Sequence, residues 1–304
     1  MDNLRGILLV LFSMAAFSVE DLWVKQMTQS VPTGQVIGMI GLGGMLVFGL
    51  VALATRTPLL VPAMRRPPFV IRTVAEGFAA LSFITSLSLV PLSTVAAVFQ
   101  VAPLAITLGA ALFLGEAVGW RRWSAIIIGF VGVLIIIRPG MEGFRPEALL
   151  VLIAVIAIAA RDLSSRRLPQ DLSSISVSFY GFSALVVAAP ILMTIQMTAP
   201  TGLGGTDSLR LVGSVLFGVS GYYAIVLATR IGDVSAVMPF RYSRLVFSLI
   251  IGVAILGENP DGYTLLGAGI IIASGLYSYL RERHLARRAA TQAQLSRSVV
   301  KVSG

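Results

Sequence analysis

Cysteine is absent and histidine occurs once, as His284 near the C-terminal end. The first absence excludes disulfides and thiolate-held metals. The second removes most histidine-based proton transfer and metal ligation. Charge is scarce too: 12% of the 304 residues are Asp, Glu, Lys or Arg, against about 25% in a soluble domain. Hydrophobic residues make up 56% and the mean hydropathy is +0.90, so water is the wrong solvent for most of this chain. There is no HExxH, no P-loop, and no Gly-x-Ser-x-Gly with partner residues. No catalytic residue, metal site or cofactor is therefore assigned, and an enzyme is not expected. The net charge of +9 does not imply nucleic acid, because the arginines stand at the ends of apolar runs, where they set membrane topology.

What the chain does contain is ten apolar segments: Leu4–Val24, Thr33–Ala54, Phe69–Val90, Ser93–Leu114, Trp123–Ile137, Glu147–Leu163, Ser174–Ile195, Ser208–Thr229, Val234–Leu256 and Gly262–Leu280. About 20 apolar residues suffice to cross a bilayer as a helix. Arg5 before an apolar stretch with Met14-Ala15-Ala16 has the order of a signal peptide, but the repeat described next keeps this segment in the fold. With the N-terminus inside, 17 of the 23 Lys and Arg fall on the cytoplasmic side; Lys25, Arg138, Arg145 and Arg210 fall outside. That bias predicts ten crossings with both termini cytoplasmic. The basic tail, 282–304, is read as a stop-transfer anchor able to touch anionic lipid.

A shift of 141 residues lays Leu8-Leu9-Val10-Leu11 on Leu149-Leu150-Val151-Leu152, Asp21-Leu22 on Asp162-Leu163, and Lys25 on Arg166. A shift of 142 lays Ser93 on Ser235 and Leu114-Gly115-Glu116 on Leu256-Gly257-Glu258. Leucine matches alone carry little weight; charged and Gly-Glu matches at nearly one offset carry more. The reading is an all-α integral membrane protein, with a first five-helix repeat over 1–140 and a second over 141–281. An odd number of crossings per repeat inverts the second half, the architecture of secondary transporters with a site between the halves.

The run Pro91-Leu92-Ser93-Thr94-Val95-Ala96-Ala97, with Ala102-Pro103-Leu104 and Leu112-Phe113-Leu114-Gly115-Glu116, resembles the drug/metabolite transporter superfamily in its EamA-type branch. A second copy stands at Gly232-Asp233-Val234-Ser235-Ala236-Val237 and Leu256-Gly257-Glu258. The resemblance implies a ten-helix carrier of a bacterial inner membrane. It leaves the substrate open, since the superfamily carries amino acids, vitamins, nucleotide derivatives and drugs. The opening, with Met14-Ala15-Ala16-Phe17 and Glu20-Asp21-Leu22-Trp23-Val24-Lys25, is similar to riboflavin-uptake members. Uptake of a vitamin such as riboflavin is the first expectation, and export of an amino acid or related metabolite the second. A lipid enzyme or a non-transporting scaffold has no motif or soluble domain behind it. The partners expected are a small-molecule substrate and the bilayer, with the chain a monomer or homodimer.

Candidate site residues are the polar ones that interrupt apolar runs. Arg241 and Arg244, spaced with Ser248 and Gly252 on one helical face, either line a cavity and bind substrate or form a buried ion pair. Tyr242 lies between them, and Gln100 is its counterpart in the first repeat, on a face shared with Ser93 and Thr107. Glu20 and Asp21 on the first helix are candidates for proton coupling or interfacial anchoring. Glu76 is a candidate for both substrate and proton, or the partner of Arg72 four residues before it. Arg161 and Asp162 read as an inner anchor with a local ion pair. Tyr180, Tyr222 and Tyr223 lie well inside their segments, where they either wall the cavity or fill the core. Glu116 and Glu258 read as structural helix-end carboxylates. Glycines of the second, fifth and tenth segments, such as Gly41, Gly132 and Gly267, allow close helix approach and the rocking that alternating access needs.

Overall fold

In hydrocarbon every peptide group of a long apolar run must be satisfied within the protein, and a helix does this within the segment itself. The computed structural model describes residues 2–116, 119–141, 144–169, 172–231 and 238–281, and no strand occurs among them. The helices are α1 (Asp2–Met27), α2 (Thr33–Ala54), α3 (Pro67–Leu89), α4 (Leu92–Phe99), α5 (Ala102–Phe113), α6 (Trp120–Ile137), α7 (Leu149–Ser165), α8 (Ser174–Ile195), α9 (Gly205–Ile231) and α10 (Ser243–Ala254), followed by α11 (Gly262–Arg281). Short 3-10 turns occupy Pro62–Arg65, Pro146–Ala148 and Met238–Tyr242. Among the described residues eight helical stretches are long and apolar enough to cross a membrane, α4 and α5 together forming one of them. In α6 the apolar part, Trp123–Ile137, is shorter. The chain is a multi-pass membrane protein. The basic tail and the 232–237 part of the repeated motif lie outside the described residues.

Apolar side chains face both ways. Val36, Ile37, Leu87, Leu92, Val95, Val98 and Ile271 are fully buried, while Leu50, Leu53 and Ile156 point outward, 65–75% exposed, as a surface wetted by lipid tails requires. Here helices are held by fit and by polar contacts rather than by exclusion of water. α1 runs along α9 and touches α10; α7 runs along α3 and touches α5; α2 lies on α8. Glycines make the α2–α8 contact, where Gly41 sits under Leu185 and Gly44 under the ring of Phe182.

The doubled Leu-Gly-Glu is a helix stop. Gly115 and Gly257 take φ of +68° and +66°, left-handed values that cost other residues about 1–2 kcal/mol. Each turn brings the next amide back to a helix-end carbonyl: Glu116 N–H to Ala110 at 3.3 Å and Glu258 N–H to Gly252 at 2.8 Å. These are carbonyls a helix C-terminus would otherwise leave unpaired.

The expected fourth segment is not one helix. Pro103 has no N–H to give to the Phe99 carbonyl, and its ring crowds that carbonyl, so the helix breaks at Gln100–Val101 between α4 and α5. The expected ninth segment is likewise not one helix, changing from a 3-10 turn to α10 after Tyr242. The two breaks touch: Gln100 Nε2 donates to the Tyr242 carbonyl at 3.1 Å, across 142 residues of sequence. The shared face expected for Ser93, Gln100 and Thr107 is lost at the break, and Thr107 bonds its own helix at Pro103.

Candidate functional site

Polar side chains converge where the broken helices meet α1, α3 and α7. On α1 the two adjacent acids part, as neighbours about 100° apart on a helix must. Asp21 is buried and takes both of its oxygens to Arg244 of α10, at 3.0 and 2.8 Å. The Arg244 guanidinium carbon also lies 5.3, 5.5 and 5.2 Å from the ring centroids of Phe17, Phe83 and Phe99, all within the range for cation–π attraction. Ser18, three residues before Asp21 on α1, ties the same helices by hydrogen bonds to Ser248 Oγ at 3.1 Å and to the Arg244 carbonyl at 3.3 Å. Arg244 is thus held in a largely shielded ion pair with Asp21. The face it shares with Ser248 and Gly252 turns to α1 and the Glu258 carboxylate rather than to open space.

Glu20 points the other way, against Gly218 of α9, where a methyl group would stand 2.7 Å from its carboxylate. It has no ion-pair or hydrogen-bond partner among the described residues.

The second charged group lies on α3 and α7. Arg161 bridges two acids, reaching Glu76 at 2.9 Å and Asp162 at 2.8 Å. Glu76 also faces Arg72 at 3.6 Å, and buried Arg72 donates to Ser165 Oγ at 3.1 Å and the Val177 carbonyl at 3.2 Å. The expected Arg72–Glu76 pair is thus present, but its closer partner comes from the other half of the chain.

Arg241 stands between the two groups. It is exposed, and the charges acting on it are Asp162, Arg161 and Arg244. The whole set holds four arginines (Arg72, Arg161, Arg241 and Arg244) and four acids (Glu20, Asp21, Glu76 and Asp162).

Tyr242 is packed with its hydroxyl over Gly275 of α11, a spot where only glycine leaves room. Tyr222 sits edge-on to Phe48 at 5.9 Å, on the side of α9 within electrostatic reach of Arg72. Tyr180 pairs with Phe69 and Phe179 at 5.4 and 5.3 Å. Tyr223 is 65% exposed on the outer face of α9, so the structure does not bring it to the cluster; two adjacent helical tyrosines cannot both face inward.

The signature glutamates end in different settings. Glu116 pairs with Arg166 at 2.8 Å on an exposed surface. Glu258 caps α4, accepting from the Leu92 amide at 2.6 Å, the Ser93 amide at 2.9 Å and Ser93 Oγ at 2.7 Å. It also lines a pocket of about 370 Å³ with Ser93, Thr94, Arg138, Arg145 and Asp261. Lys25 closes the neighbouring end of α3 through the Leu87 and Val90 carbonyls, at 2.9 and 2.6 Å.

Reading the sequence for polar residues alone passes over Phe17, Phe83 and Phe99. One signal was available: Phe17 stands four residues before Asp21, on the same face of α1.

The sequence pattern of the EamA-like transporter family matches residues 4–138 and again 145–280. An S-adenosylmethionine uptake transporter of Rickettsia prowazekii is 28% identical over 92% of this chain and 94% of its own. A riboflavin transporter of Rhizobium johnstonii is 30% identical over 72% of each chain. A solved crystal structure superposes with a TM-score of 0.56 at 21% identity, covering 90% of this chain and 98% of the other, which is a likeness of fold.

Proposed function

The chain belongs to the EamA-like transporter family, and from that premise we propose that it is a secondary transporter importing a small organic metabolite by alternating access. The single observation behind this reading is the contact between the two helix breaks, at Gln100 and Tyr242, with buried charges gathered beside it. Interrupted helices meeting between repeats are how carriers build a site inside a membrane. The helix packing supports an inverted repeat: α1 with α9 and α10 in one case, α7 with α3 and α5 in the other, exchange roles as two antiparallel halves would. In this reading the repeats are 1–140 and 141–281, there are ten crossings, and the membrane is a bacterial inner membrane with both termini cytoplasmic. Substrate sits between the Asp21–Arg244 and Glu76–Arg161 groups, contacting Arg241. Glu20, with no ion-pair partner among the described residues, is the carboxylate that couples transport to protons.

S-adenosylmethionine heads the substrate panel, because a relative named for its uptake matches 92% of the chain and the site is densely charged. Riboflavin is the second reading, carried by relatives of similar identity and by the tyrosines Tyr180 and Tyr222. Uptake of each radiolabelled compound into proteoliposomes is the test. The expected result is saturable uptake of one of them, reduced by Arg241→Ala in folded protein. Uptake equal to that of protein-free liposomes for both refutes the assignment.

A further inference from the structure

Arg244 occupies a finished cation site. Three aromatic rings face its guanidinium at 5.2–5.5 Å, and Asp21 binds it through two oxygens. Yet the occupant is tethered to α10, and both partners are largely shielded, their side chains 17% and 7% exposed. An arginine on a helix next to a break is also the kind of group that moves when the break changes shape. A box of three rings and a carboxylate accepts other cations of similar size, including ammonium and sulfonium centres.

What enters must respect the charge balance. A lone cation displacing Arg244 would leave the arginine without a carboxylate, inside the membrane and near Arg241, which it repels. An uncharged ligand has nothing with which to open the pair. A zwitterion does both jobs: its cation takes Asp21 and the rings, and its carboxylate takes the released guanidinium.

We infer that the substrate is a zwitterion bearing an ammonium or sulfonium centre and a carboxylate, and that it binds by exchanging partners with the Asp21–Arg244 pair inside the Phe17, Phe83 and Phe99 box. This rests on the carrier reading above and narrows it to one substrate class. It gives the pair a mechanical role as well. While intact it fastens α10 to α1, and binding substrate unfastens the two halves without stranding a charge.

The test uses the full chain in nanodiscs, titrated with three probes. S-adenosylmethionine ends in a zwitterionic amino-acid group and carries a sulfonium besides, its decarboxylated derivative keeps only the cations, and riboflavin carries neither charge. Wild type binds S-adenosylmethionine at least about tenfold more tightly than the decarboxylated cation, because only the former brings a carboxylate for the released Arg244. Asp21→Asn combined with Arg244→Gln neutralises both ends together, and it brings that ratio close to one. Phe99→Leu keeps the pair and removes one ring; it weakens both sulfonium probes several-fold and leaves riboflavin unmoved. A ratio unchanged in the double variant, no effect of Phe99→Leu on the sulfonium probes, or riboflavin as the only ligand of the wild type each overturns the exchange. Each of these leaves the carrier reading standing. No flux of any of the three in proteoliposomes removes the carrier reading, and the exchange with it.

Discussion

Glu116 and Glu258 occupy the same place in the two copies of one motif, yet their removal has unequal effects. Both follow a left-handed glycine and both amides fold back onto their own helix, so the local stop is common to the two. The carboxylates differ in what they hold. Glu258→Ala deprives α4 of its cap, leaving two amides and the Ser93 hydroxyl without an acceptor. Hydrogen bonds to a charged group contribute about 1.5–3 kcal/mol each. Glu258 faces a pocket where water can replace part of the loss, so about 3 kcal/mol in all is expected. Glu116→Ala breaks one ion pair whose side chains are 50% and 42% exposed, which places it at about 0–1 kcal/mol. Glu258→Gln keeps the shape and loses the charge, and falls between. Reversible unfolding in mixed SDS micelles, read as a shift of midpoint at constant slope, measures all three. If Glu258→Ala and Glu116→Ala shift the midpoint equally, the cap does not carry the stability assigned to it.

Arg161→Ala leaves Glu76 and Asp162 facing each other without their shared cation. Both pairs are part-exposed and Glu76 keeps Arg72 beside it, so a loss of about 1–3 kcal/mol, between the exposed and buried cases, is expected in the same unfolding assay, and Arg161→Lys recovers part of it. Gly267→Ala puts a methyl 2.5 Å from the Gly132 carbonyl, where α6 and α11 cross backbone to backbone, and destabilises by about 1–3 kcal/mol; Gly269→Ala, with open space around it, has little effect. Burial pushes the Asp261 carboxyl up, but hydrogen bonds from Thr264 and the Arg138 guanidinium outweigh it and hold the group below its ordinary value. A folded-state pKa below the unfolded one means a contribution that is full above about pH 4 and is lost as pH falls through the folded value. Asp261→Asn therefore flattens the acid limb of a thermal-stability profile.

Much of the fold is legible in the sequence because the bilayer imposes it. Apolar runs such as Thr33–Ala54 and Ser174–Ile195 coincide with α2 and α8 to the residue, and Gly115 and Gly257 mark helix ends by backbone chemistry alone. Short-range pairs are legible too, as Arg72 with Glu76. Partners across the chain are not. Asp21 meets Arg244 over 223 residues, and Arg161 meets Glu76 over 85, and nothing local signals either. Composition says that an arginine within a span needs compensation; only the packing of α10 on α1 says from where. The break at Gln100 was written in Pro103, but hydropathy runs through it without a dip. Tyr222 and Tyr223 are equivalent by hydropathy, and only the rotation of α9 separates the inward one from the outward one.

The central claim is that this chain carries a small metabolite through the charged region between its two halves. The most direct measurement is uptake of radiolabelled S-adenosylmethionine into proteoliposomes, with Arg241→Ala and the double variant Asp21→Asn/Arg244→Gln beside the wild type. Saturable accumulation by the wild type, lost in both folded variants, is the predicted result. Accumulation that is the same in all three preparations would contradict the account.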